Sequence, residues 1–144
     1  MSFTGGGTRR WMSPELLDPE RFGMPESEGN RPTRQSDCYA LGMVIYEVGA
    51  CASKLVVVDS WLMETQVLCG HHPYLELPSD ILAVHAITEG VRPIKPGGAR
   101  QLGFSDELWR TVELCWLRDR DARPDVSYVL SSLNHAAAFW YIRN

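Results

Sequence analysis

Apolar positions along the chain recur mostly with the period of a helix, broken by clusters of proline and glycine. Ser13-Pro14-Glu15 reads as a helix start, with Ser as cap, Pro at the first helical position and an acid facing the positive helix end. Pro19 stops that helix early, and Gly23, Pro25, Gly29, Asn30 and Pro32 mark the loop that follows. Ser36-Asp37 then opens "CYALGMVIYEV", whose apolar residues face nearly every direction, the pattern of a wholly buried helix. Residues 49–66 fit no period, and Leu55 to Val58 look strand-like within them. Ser79 to Glu89 suits an amphipathic helix closed by Gly90, and the proline- and glycine-rich stretch 91–103 is loop. Ser105-Asp106 caps a further helix carrying Leu108, Val112, Cys115 and Trp116 at helical spacing. A last helix carries Val126, Val129, Leu130, Leu133, Ala137 and Trp140 in the same way. The fold class expected is mainly α, without internal repeats.

Composition narrows the setting. The 144 residues are 44% hydrophobic and 22% charged, which is the balance of a chain that buries a core as one domain. The net charge of −4, with basic residues scattered apart from the pair Arg9-Arg10, argues against nucleic acid as a partner. Cys38, Cys51, Cys69 and Cys115 are too widely spaced for a CxxC metal knuckle, so free buried thiols and no metal are expected. No apolar run is long enough to span a bilayer and the start lacks a secretory pattern, which points away from a membrane and toward an intracellular, cytoplasmic or nucleocytoplasmic setting.

The opening "GGGTRRWMSPELLD" raises phosphate binding as a question. A P-loop needs GxxxxGK[ST], and a dinucleotide site GxGxxG; neither spacing follows Gly5. By itself the stretch is a flexible loop entering a helix. His71 and His72 read as solvated loop residues.

Four motifs in chain order change the weight of that reading: "GTRRWMSPE" from Gly7, "SDCYALGMVIYEV" from Ser36, "GHHPY" from Gly70 and "CWLRDRDARPDV" from Cys115. Together they resemble the C-terminal lobe of a eukaryotic protein kinase, most closely the tyrosine-kinase-like Ser/Thr group. The resemblance covers residues 1–144 as a partial kinase domain, apart from an atypical insertion at about 48–66. It implies a helical C-lobe lacking the N-terminal lobe and the catalytic loop, truncated before the activation-segment end, with Ser13 where Ala is usual in the Ala-Pro-Glu motif. It also implies roles. Thr8, Arg9, Arg10 and Trp11 would face the protein substrate. Glu15 would pair with Arg123, Asp37 would cap the central helix, and Trp116 would belong to the structural core. The pair is expected to be buried, with Trp11, Trp116 and the central helix packed beside it.

Phosphoryl transfer requires a glycine-rich cover over ATP, a strand Lys paired with a helix Glu, a catalytic-loop Asp and Asn, and a magnesium-binding Asp-Phe-Gly. None of these stands in the 144 residues. The intact family uses ATP and Mg; this chain is expected to hold no cofactor and to be catalytically inert. The alternatives are a non-catalytic kinase-derived module that binds a protein partner, and an unrelated helical bundle. The chain alone is expected to be marginally stable, because the family covers the central helix with parts not found here. Deleting Val48–Gln66 would join Glu47 to Val67 and give "YEVLCGHHPY", the family's usual run. That segment is therefore expected to be a retained intron, forming a protruding, poorly ordered loop.

Overall fold

The computed structural model describes residues 9–25, 27, 31–55, 72–95 and 104–143. Their elements are a 3₁₀ turn (Arg9–Trp11), α1 (Pro14–Leu17), α2 (Arg34–Leu55), α3 (Asp80–Glu89), α4 (Asp106–Cys115), a second 3₁₀ turn (Arg120–Ala122) and α5 (Val126–Arg143). No strand occurs among the described residues, and the architecture is mainly α.

The helix ends follow local chemistry. Ser79 accepts a hydrogen bond from the Leu82 amide (3.3 Å) and Ser105 one from the Leu108 amide (3.1 Å), so each satisfies an amide that the helix leaves free. Gly90 ends α3 at φ +87°, a conformation that a side chain would strain, and its amide returns to the last turn. Asp125 accepts from the Tyr128 amide (2.9 Å) at the start of α5. Ser13 occupies the cap position of α1, but its hydroxyl makes no capping bond.

Two expectations are corrected in α2. It begins at Arg34, ahead of Ser36-Asp37, because Thr33 and Ser36 cap it reciprocally: the Thr33 amide donates to Ser36 Oγ (2.7 Å) and the Ser36 amide to Thr33 Oγ1 (3.2 Å). Asp37 therefore lies within the first turn, exposed, and is not the cap. The helix also runs on to Leu55, well into the segment expected to protrude as a disordered loop, so Leu55 is helical rather than strand-like. Gly49, in that segment, is buried, and a β-carbon there would stand 2.5 Å from the Phe104 ring. Residues 56–66, the rest of the segment, lie outside those described. Val44 and Val48 are 45% and 64% exposed, so α2 carries an uncovered apolar side, as expected of the chain alone.

The core lies chiefly between α2 and α4, with α5 against α4 and α3 against α1 and the first turn. Tyr39, Met43, Ile87, Val112, Cys115 and Val129 are fully enclosed. Gly42 allows the close crossing, since a β-carbon there would be 2.8 Å from both Cys115 Cβ and Trp116 Nε1. Trp116 meets Trp109 edge-on (5.8 Å, 87°) and Tyr46 at 5.8 Å.

Candidate functional site

Residues 9–15 form a shelf that three separate parts of the chain hold in place. The first is the turn before α5. Arg123 Nη1 and Nη2 donate to the two oxygens of Glu15 at 2.7 and 2.8 Å, across 108 positions of sequence. The side chains are 0% and 4% exposed. Arg123 also donates to the Leu117 carbonyl (2.9 Å) and the Gln35 carbonyl (3.0 Å), tying α2 into the same knot. Its guanidinium lies over the Tyr39 ring at 5.2 Å, and Arg92 stands over that ring at 5.3 Å. The ring beside the pair is thus Tyr39, while Trp116 packs with Tyr46 and Trp109. Burial pushes the Glu15 carboxyl up, but the hydrogen bonds and charge of Arg123 outweigh it and hold the carboxyl below the ordinary range.

The second anchor is Arg10. Its Nε donates to Asp80 (2.8 Å), Nη1 to the carbonyls of Pro73 (3.2 Å) and Tyr74 (2.5 Å), and Nη2 to the Leu77 carbonyl (3.1 Å). Arg10 is 6% exposed, so its donors are spent inside the molecule, fixing the 73–77 loop and the start of α3. Tyr74 sits there at φ +58°, a region that bulky residues rarely adopt. Its hydroxyl donates to the Val91 carbonyl (2.8 Å), and burial raises the phenol's pKa.

The third anchor is Trp11, whose indole donates to Glu47 Oε2 of α2 (3.0 Å). Arg9 is exposed beside it, and Thr8 lies outside the described residues. Of the residues expected to face a substrate, Arg9 and Trp11 remain at the surface of the shelf while Arg10 turns inward.

Sequence reasoning missed Glu47, Asp80 and Tyr74. Glu47 had a signal, being the one charge in an apolar run. Asp80 had none of its own, since an acid in a first turn is already explained by the helix dipole. Tyr74's backbone leaves no trace in composition. Among the described residues, no three His, Cys, Asp or Glu side chains gather as they would to hold a metal ion. No described helix is long and apolar enough to cross a membrane.

The chain is similar to activin receptor type-2B of Xenopus laevis, 34% identical over 119 residues, and to human activin receptor type-2A, 30% identical over 118. Each match takes in 81% of this chain and 21% of the receptor. A probable serine/threonine-protein kinase of Dictyostelium discoideum is 28% identical over 128 residues, covering 89% of this chain and 10% of that protein. The chain is protein-kinase-related. Its relatives fall in the tyrosine-kinase-like Ser/Thr group, and its helical architecture is that of the kinase C-terminal lobe. The kinase-related chain spans about a fifth of the length of the activin receptors it matches. No family model matches it.

Proposed function

We propose that these residues are the substrate-side scaffold of a Ser/Thr protein kinase domain, a domain that moves the ATP γ-phosphate to Ser or Thr of proteins. On this reading the 144-residue polypeptide alone transfers nothing. The buried, bidentate Glu15–Arg123 pair carries the reading, since it holds the shelf at residues 9–15 rigid against the rest of the lobe. ATP and Mg belong to groups that these residues do not supply, and the protein substrate would lie along Arg9 and Trp11. The free thiols Cys38 and Cys115 support a reducing cytoplasmic or nucleocytoplasmic setting.

A transfer assay with γ-labelled ATP and a Ser/Thr peptide tests the proposal in two arms. The chain alone should incorporate no label above the buffer control; turnover by it overturns the inertness. Substituted for the matched segment of a relative's kinase domain, the same residues should support transfer. A chimera that melts cooperatively yet phosphorylates nothing overturns the scaffold reading.

A second reading, a non-catalytic protein-binding module, is favoured by the exposure of Ile81 on α3 (76%) and Ile94 (85%). A partner retained by the wild-type chain and lost on Ile81→Asp, with no transfer by any chimera, would decide for it.

A further inference from the structure

Two cysteines that the kinase reading leaves without a role stand together at the crossing of α2 and α4. Cys38 lies in the second turn of α2 and Cys115 is the last residue of α4; both are buried and free. Gly42 is one helical turn beyond Cys38 on the same face, and Cys115 Cβ fills the place where its side chain would be. Both belong to the same buried core cluster. Nothing in the scaffold role requires a sulfur at either position.

We propose that Cys38 and Cys115 are a peroxide-responsive dithiol pair that closes into a disulfide between α2 and α4. Cys38 is the attacking sulfur. It is the more accessible of the two, 6% against 0% exposed. Its thiolate is favoured by the neighbouring Cys115 thiol, against the effect of burial, and further by the positive charge of Arg123. Cys115 is pushed the other way, by the neighbouring Cys38 thiol and by burial, and is the resolving partner.

The chemistry balances with a hydroperoxide as oxidant. The Cys38 sulfur takes the terminal oxygen and becomes a sulfenic acid. The O–O bond breaks, and the departing alkoxide, or hydroxide from hydrogen peroxide, leaves with the Cys38 proton. The Cys115 sulfur then attacks the Cys38 sulfur: the S–S bond forms, the S–O bond breaks, and the hydroxyl departs as water with the Cys115 proton. Two thiols and one hydroperoxide give one disulfide, one alcohol or water, and one further water. Closure brings the sulfurs to about 2 Å, and the bare α-carbon of Gly42 leaves no side chain between them.

The test uses the full chain, reduced and then treated with hydrogen peroxide at stoichiometric level, with and without urea. Free thiols are alkylated and the protein is cut with trypsin unreduced. The expected product joins peptide 35–54 to peptide 111–118, two hydrogens lighter than their sum, with fragment ions placing the bridge on Cys38 rather than Cys51. It should be at least tenfold more abundant from folded than from urea-unfolded protein, and the oxidised protein should melt higher than the reduced. Alkylation of both Cys38 and Cys115 while Cys51 or Cys69 is oxidised overturns the proposal. So does an equal yield of the linked peptide in urea. Cys115→Ser should leave Cys38 as a sulfenic acid trappable by dimedone, and a folded variant with no such adduct also overturns it.

Discussion

Glu15 and Arg123 are buried so completely that either would be costly alone. Removing one partner leaves an uncompensated charge away from water, and each of Glu15→Ala and Arg123→Ala should lose about 3–5 kcal/mol in urea unfolding. The double variant should lose less than the sum, since neither charge is then stranded; additive losses would show that the two act separately. Arg123→Lys should recover little, because an ammonium cannot reach both carboxylate oxygens and the Leu117 and Gln35 carbonyls at once. The same residue carries a pH dependence. Glu15 titrates lower when folded than when unfolded, so its contribution is fully present above the ordinary carboxylate range and lost as pH falls through the folded value. Stability measured across an acid series should therefore fall less steeply in Glu15→Gln than in the wild type.

Among the elements, α3 was legible from both ends, because Ser79 and Gly90 act through chemistry that depends only on neighbouring backbone. The start of α2 was not: Ser36-Asp37 looks like a cap, yet Ser36 serves Thr33 three residues earlier, and a serine suits either position. Its far end was hidden because residues 49–55 have no clear period. Their helix is supported by tertiary packing, with Gly49 against Phe104, which no local pattern encodes. The Glu15–Arg123 pair could be anticipated from motif context, whereas three of the four bonds of Arg10 go to backbone carbonyls, and every residue has one. The crossing of α2 and α4 offers a direct test. Gly42→Ala gains about 1 kcal/mol of helix propensity but drives a methyl to 2.8 Å from Cys115 Cβ, an atom fixed to the backbone. Overpacking of this kind costs about 1–3 kcal/mol, so the variant should melt below the wild type; a higher melting point would mean that the helices separate freely.

For the whole molecule, the outward face of α2 matters most. Val44 and Val48 stand one turn apart in solvent, and exposed neighbouring valines favour association between copies. Val44→Lys with Val48→Lys should leave the melting point within a few degrees of the wild type, since neither side chain is in the core. Light scattering on holding below that temperature should rise more slowly. An unchanged rate would place the association surface elsewhere.

The knot at Arg123 also orders events in time. Glu15 is made 108 positions before its counter-charge. During synthesis Glu15 has no charge to close upon until residue 123 has been made, although Arg10 can already meet Asp80. α3 and α4 can form as they emerge, because their caps are local, but the burial of α1 waits for the turn before α5. A ribosome stalled before residue 123 would carry a shelf held only through Arg10 and Trp11, and proteases would cut residues 14–17 more readily than the later helices.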